Sequence, residues 1–170
     1  MKLYHGGLIA VESPRIIQSD FGRDFGFAFY TTDIKEQAER WALRRQKSAL
    51  HNKDIHAKAM VSVFDFDMDA ARQQLEFLDF PQASMEWLDL VVACRSNTSY
   101  SHGKDIIAGK IADDNVGETI TYVLSGIMRK EDALERLKFQ KINNQLAFCT
   151  DRSLLFLKYD TCYIVENIND

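Results

Sequence analysis

The segment Asp24-Phe25-Gly26-Phe27-Ala28-Phe29-Tyr30-Thr31-Thr32-Asp33 constrains this chain more than any other. Four aromatic rings and two β-branched residues within eight positions read as a buried strand over Phe25–Thr32. Asp33 follows, with Glu36 three residues on, the spacing of a capping box. Ile34, Ala38, Trp41, Ala42 and Leu43 then fall on one helical face, so a helix is expected from about Ile34 to Lys47. A buried aromatic strand feeding directly into an amphipathic helix demands a packed mixed core. The chain's 170 residues suffice for one such domain without disulfide or metal staples.

The remaining elements are short. Lys2–His5 reads as an opening strand that ends at Gly6-Gly7. Leu8–Asp24, with Ser13-Pro14, reads as loop with room for one helical turn. Leu50–Lys58 reads as loop, Met60–Phe66 as a strand, and Gln74–Phe80 as containing another. Ser84 precedes a helix that buries Trp87, Leu88, Val91, Val92 and Cys94. Asp105–Ile111 reads as a strand closing in a turn at Gly109. Two helices follow, Asp114–Leu124 and Lys130–Leu137, the second opening on Glu131-Asp132 as suits a helix N-terminus. Gln145–Phe148 is a strand, Asp151–Leu157 a short helix and Thr161–Val165 a final strand. With no repeat, linker or low-complexity tract, residues 1–170 read as a single α+β domain of short strands with flanking helices.

Composition narrows the function classes. A net charge of -4 carries no basic footprint, which argues against a dedicated nucleic-acid-binding module. No apolar run approaches a membrane span and the Met1 end has no signal-peptide pattern, so a cytoplasmic protein is expected. Cys94, Cys149 and Cys162 are odd in number and widely spaced, as for reduced core thiols. His51, His56 and His102 lack metal-ligand spacing and read as loop residues, so no metal is expected.

Three segments stand out: Leu3-Tyr4-His5-Gly6, the Asp24–Asp33 run, and Asn143-Asn144-Gln145-Leu146-Ala147-Phe148. Their order resembles the three-part core of the ADP-ribosyltransferase superfamily, of the diphtheria-toxin and poly-ADP-ribose-polymerase type. In that superfamily a His-Gly at the end of the first strand binds the nicotinamide end of NAD. A Tyr in Gly-x-Gly-x-Tyr-x-Thr stacks on the nicotinamide ring, and a late strand opens with a catalytic Glu. The chain resembles more closely a bacterial branch of unknown function with the motifs LYHG, DFGxGFYLT, Gln-Ala-x-x-Trp-Ala, EWLDFVVANR, D-hydrophobic-GPVAND and NNQ-hydrophobic-x-Phe. The matching residues are Leu3–Gly6, Asp24–Thr32, Gln37-Ala38 with Trp41-Ala42, Glu86–Arg95, Asp105–Asp114 and Asn143–Phe148.

The resemblance implies a split β-sheet core that takes NAD as substrate and transfers ADP-ribose to a protein or nucleic-acid target. It implies His5, Tyr30 and Gln145 as catalytic, with His5, Gly6, Gly26, Tyr30, Thr32 and Arg23 holding NAD. Members of the branch often sit beside a small partner gene, which implies a toxin with a small antitoxin protein as partner. The residue types suit these roles. Gly6 lacks a Cβ and admits close approach, His5 can donate to a ribose hydroxyl, and the Tyr30 ring can face a cationic nicotinamide. Thr31 or Thr32 offers a hydroxyl near that ring or at the helix start. Arg23 and Arg95 are candidates for the pyrophosphate. The polar stretch around Asn52 and Lys53 and the loop Asn97–Gly103 are candidates for target recognition.

The sequence departs from the enzyme pattern at Gln145, which stands where the superfamily has its catalytic Glu, although the branch itself carries Gln there. An amide can bond a ribose hydroxyl but supplies neither negative charge nor a general base. Asp89, Asp105 and Asp113 are the candidate compensating carboxylates. Ala28 replaces a usual Gly and Lys110 a usual Pro. The alternative reading is an inactive member that binds a nucleotide or a partner protein.

Overall fold

A computed structural model of the chain describes residues 1–18, 20–111, 114–137 and 143–166. Among them are two sheets and six helices, a mixed α+β architecture. Strands β1 (Lys2–Gly7), β3 (Met60–Phe66) and β7 (Leu157–Ile164) form an antiparallel sheet in the order β1-β3-β7. Strands β2 (Phe29–Thr31), β6 (Asn143–Phe148), β5 (Ile106–Ile111) and β4 (Phe77–Phe80) form the second, in the order β2-β6-β5-β4, with only β4 and β5 parallel. The helices are α1 (Lys35–His51), α2 (Met68–Gln74), α3 (Met85–Ser96), α4 (Asp114–Leu124), α5 (Lys130–Leu137) and α6 (Asp151–Leu154).

Side-chain alternation along the strands sorts the core into three layers. Leu3, Phe64, Phe66 and Leu157 of the first sheet face Phe29, Ile106, Leu146 and Phe148 of the second. Two edge-to-face ring pairs lock this inter-sheet layer, Phe29–Phe64 at 5.6 Å and Phe66–Phe148 at 5.3 Å. Val61 and Val63 point the other way, onto Ala38 and Ala42 of α1. On the far face of the second sheet, Ile107 and Ala147 meet Trp87, Leu88 and Val91 of α3, with Ile120 of α4 and Leu137 of α5. The fold is therefore helix, sheet, sheet, helices.

Among the described residues, one main-chain bridge joins β1 to the end of β2. Tyr4 and Thr32 exchange both main-chain hydrogen bonds, at 2.8 and 2.9 Å, and past this bridge β1 and β2 pair with different sheets. The bridge is where the split of the core begins.

Several expectations hold and others are corrected. β3 spans the expected residues, and α3 begins at Ser84, whose hydroxyl accepts from the Trp87 N–H. The expected strand over Phe25–Thr32 is realised only at Phe29–Thr31. Gly26 takes φ +76, and the Tyr30 hydroxyl folds back to accept from the Phe25 N–H and donate to the Gly26 carbonyl, so Asp24–Phe27 is a turn. Asp33 does not cap α1: Ile34 occupies that position with no side-chain cap, and Thr32 Oγ1 accepts from the Ile34 N–H instead. The helix runs on to His51, so that histidine is helical, and Trp41 lies 47% exposed. Where α1 comes closest to β1, at Gly6, its residues are Ala38 and Ala42. α2 was not anticipated. β5 continues through Gly109 with no turn there, and β7 begins at Leu157, where helix was expected.

A Cβ placed on Gly6 would lie 2.1 Å from the Ala38 carbonyl oxygen and 3.0 Å from the Ala42 nitrogen. The close approach that Gly6 permits is therefore to helix α1, not to a ligand. One on Gly7 would meet nothing nearer than His5 Nε2 at 3.6 Å. Gly6→Ala should thus destabilise the fold by about 3 kcal/mol or more, since backbone must give way, while Gly7→Ala stays within about 1 kcal/mol. Urea midpoints of the two variants check this; equal midpoints would contradict the packing described.

Candidate functional site

The site is built outward from the Tyr4–Thr32 bridge. His5 follows Tyr4, and its ring stacks on Phe29 with centroids 4.5 Å apart, so it lies on the inter-sheet side of β2. Its Nδ1 sits 2.7 Å from the Tyr30 carbonyl oxygen. A carbonyl only accepts, so Nδ1 carries the proton and Nε2 of the neutral ring presents a lone pair. Burial pushes the His5 pKa below 6.5, with nearby Arg45 and Arg23 acting in the same direction and the Tyr30 carbonyl against it. His5 thus offers an acceptor, and the expected donation to a ribose hydroxyl is reversed in sense.

Tyr30 points to the opposite side of β2, where it packs on the helical-face core. Its hydroxyl is consumed by the Phe25–Gly26 turn, and burial pushes its pKa far up, with Asp24 adding to the rise. Only the ring remains for a ligand. The Arg23 guanidinium stands 5.8 Å from that ring's centroid, so Arg23 and Tyr30 are neighbours. Gly26 lies at the turn beneath. Thr32 is buried and serves the helix start, the second of the two roles foreseen for it.

Gln145 stands two residues before Ala147 on β6, hence on the same face as Tyr30, and pairs across the ladder with Gly109. Its Oε1 is buried and has no hydrogen-bond partner among the described residues. The structure thus brings His5 and Tyr30 into contact through the main chain, their rings straddling β2, and sets Gln145 on the strand hydrogen-bonded to β2.

Two of the candidate carboxylates, Asp105 and Asp89, are already engaged in ion pairs. Asp105 is 3% exposed and accepts from Arg152 Nε at 2.7 Å, Arg152 Nη2, Thr150 Oγ1 at 2.6 Å and the Glu76 N–H at 2.8 Å. It is a clamp between β5, α6 and the start of β4. Arg152 above all, with Thr150 and the Glu76 amide, holds its pKa down at about 2 against the opposing effect of burial. Asp89 pairs with Lys130 on the exposed side of α3. Asp113 lies outside the described residues.

Arg95 is also committed elsewhere: its Nε donates at 2.7 Å to the buried Asp24, tying α3 to the turn under Tyr30. Sequence reading missed this pairing because 71 residues separate the partners. It likewise passed over Gln37, quoted only as part of a motif, whose Nε2 donates to the Asn144 carbonyl at 2.9 Å. The signal available was a polar residue in the first helical turn after the central strand.

His102 is held on both nitrogens, accepting from the Lys104 N–H and donating to the Phe25 carbonyl. Burial raises the Cys94 thiol to about 11 and Cys149 to about 12, as befits inert core thiols. An open hollow of about 540 Å³ lies between β4 and α3, lined by Phe80, Leu90, Tyr100 and His102 among others, apart from His5, Tyr30 and Gln145. Among the described residues no cluster of His, Cys, Asp or Glu is arranged to hold a metal, and no helix is long and apolar enough to cross a membrane.

Two titrations follow. Asp105, whose pKa is lowered by folding, stabilises the protein fully above about pH 4 and loses that contribution as pH falls toward 2. Asp105→Asn should lower stability by about 2 kcal/mol at pH 7 and flatten the acid limb of a denaturation series. For His5 the lowered pKa means the unfolded chain takes up a proton first, so stability declines as pH drops below 6.5. Imidazole NMR shifts should report a neutral His5 at pH 6.5; a ring already more than half protonated there would refute the assigned tautomer.

No curated protein and no solved structure matches the chain. A family model described as a protein of unknown function (DUF3990) matches residues 1–159, which include β1 through the start of β7 and all of His5, Tyr30, Gln37 and Gln145. With nearly its whole length matched, the chain belongs to the DUF3990 family.

Proposed function

We propose that the chain binds NAD along the edge of β2 and transfers ADP-ribose to a protein or nucleic-acid target, releasing nicotinamide. The observation that carries this reading is the His5–Tyr30 lock at the point where the sheets part. It leaves a neutral lone pair on one side of β2 and an aromatic ring on the other. A ligand laid over that edge meets both. The orphaned Oε1 of Gln145 is a second acceptor, suited to a ribose hydroxyl, and the aromatic face of Tyr30 suits a cationic nicotinamide ring. Arg23 beside that ring is the cation available to the pyrophosphate.

In the reaction the bond from nicotinamide to ribose C1′ breaks with its electron pair leaving on nicotinamide, and an oxocarbenium-like sugar forms. A nucleophile of the target then bonds to C1′ and releases its proton. Gln145 orients the ribose in this scheme, and the acceptor itself must supply the base. The toxin role that the resemblance implies, with a small antitoxin as partner, is part of the proposal and predicts arrested growth on expression.

A second reading, a member of the family that binds a nucleotide or a partner protein without turnover, draws on Gln145 and on the pairing of Asp105 with Arg152 and Asp89 with Lys130. One set of measurements separates the two. Calorimetric titration should give NAD binding by wild type that weakens at least about tenfold in His5→Ala and in Tyr30→Ala, each checked for folding by circular dichroism. Gln145→Glu should then raise labelled-NAD cleavage by about a hundredfold, because a carboxylate offsets the sugar's positive charge. Binding without turnover in either form would establish the second reading. Absence of NAD binding by folded wild type would remove the first.

A further inference from the structure

Two buried amide oxygens of the described residues, Oε1 of Gln37 and Oε1 of Gln145, have no hydrogen-bond partner. Buried acceptors are nearly always satisfied, and an unmade bond on one is a standing penalty, so two in one place call for a reason.

Both residues flank Asn144. Gln145 is its neighbour on β6. Gln37 reaches it from the first turn of α1, with Nε2 donating to the Asn144 carbonyl at 2.9 Å. Tyr30, Thr31 and Phe29 pair with β6 at Ala147, Leu146 and Phe148, so β2 ends short of Asn144. The Gln37 amide takes up the ladder where the strand stops. A carbonyl can only accept, so it is the nitrogen of Gln37 that faces Asn144, and the amide's geometry turns its oxygen away from the strand. That orientation is fixed by the protein before any ligand arrives. Asn144 is itself steadied by donation from Nδ2 to Asp33 Oδ2 at 3.3 Å, so the support of the amide is anchored as well.

Gln37 Oε1 and Gln145 Oε1 are neutral acceptors, as is His5 Nε2 on the other side of β2, and the one carboxylate placed on Asn144, that of Asp33, already accepts from the Asn144 amide. Such a set suits a neutral group that brings its own donors and gives no Coulombic reward to a cation.

We propose that Gln37 is a ligand-binding residue that, with Gln145, accepts hydrogen bonds from the vicinal hydroxyls of the nicotinamide ribose. This rests on the reading of NAD as the substrate. Gln37 and Gln145 together fix the sugar by its diol, a task that one amide oxygen performs with less directional control.

The test is calorimetric titration of the full chain with NAD, comparing wild type, Gln37→Met and Gln37→Lys. Gln37→Met deletes both polar atoms at similar volume; Gln37→Lys keeps a donor for the Asn144 carbonyl while deleting the acceptor. Both should bind NAD at least about tenfold more weakly; the thermal midpoint should stay level or rise in Gln37→Lys, which keeps a donor for the Asn144 carbonyl, and fall in Gln37→Met, which leaves that carbonyl unpaired. Two NAD analogues, with fluorine replacing the 2′- or the 3′-hydroxyl of the nicotinamide ribose, give the readout that a purely structural role would not move. At least one analogue should bind wild type more weakly than NAD does, and that difference should shrink or vanish in the Gln37 variants. If Gln37→Met does not fold, Gln37→Lys alone decides. Variants that bind NAD like wild type, or that lose equally for NAD and both analogues, would overturn the assignment while leaving NAD binding in place. Wild type that binds no NAD, with Tyr30→Ala no different, would overturn the functional reading and this assignment together.

Discussion

The pair of main-chain hydrogen bonds between Tyr4 and Thr32 is the constraint from which the rest of this molecule follows. It is the only bridge between β1 and β2 among the described residues, and it fixes how far those strands travel together before joining different sheets. One residue past it, His5 is left beside a β2 carbonyl that has no strand partner on that side, and the imidazole satisfies it. Two residues past it, Gly6 is free of the bridge and its bare Cα lets α1 rest on the strand. A longer ladder here would close the edge of β2 to any ligand. A shorter one would leave the two sheets joined only by side-chain packing in the inter-sheet layer.

The bridge also shows that one motif can serve two causes. A His-Gly pair at the end of a strand reads as a ligand contact in the sequence. The geometry assigns the missing Cβ of Gly6 to Ala38 and Ala42 of α1. Gly6 therefore acts on the site at one remove. It lets α1 sit close enough for Gln37 to reach Asn144, and the motif is as much a statement about helix seating as about nucleotide chemistry.

How much was legible depended on whether the determining contact was local. β3 was readable because Val61 and Val63 alternate with Ser62 and Phe64 in step with two apolar layers, and α3 because Ser84 announces its start within three residues. The turn at Phe25–Gly26 was not readable as a turn. Its aromatic content matches a strand, and what bends it is the hydroxyl of Tyr30 four residues on together with a glycine in the left-handed region. Trp41 was misplaced because helical periodicity says which residues share a face but not how near the next layer lies. Long-range pairings were invisible for the same reason: nothing near Arg95 predicts Asp24, and nothing near Asp105 predicts Arg152. The site's three motif residues were legible as types, whereas the tautomer of His5, the spent hydroxyl of Tyr30 and the orphan oxygen of Gln145 required coordinates.

Those three details together bear on the absence of a carboxylate from Gln145's position. A glutamate at that point would bind a ribose and also lower the energy of the sugar cation, so one residue would serve affinity and rate at once. With an amide there, and with Gln37 and His5 also neutral, the junction is better matched to the ground-state hydroxyls than to the developing charge. On this physics, the ligand is held well and the reaction is favoured little until a second charge arrives. Among the described candidates, Asp105 and Asp89 are already paired with Arg152 and Lys130. On the proposed reading, the acceptor molecule is then the group able to complete the site, since its nucleophile would approach the same edge of β2 and could bring an anionic group with it. A site so arranged would withhold NAD cleavage from water and grant it to a docked target, and the neutral amide would then couple turnover to recognition.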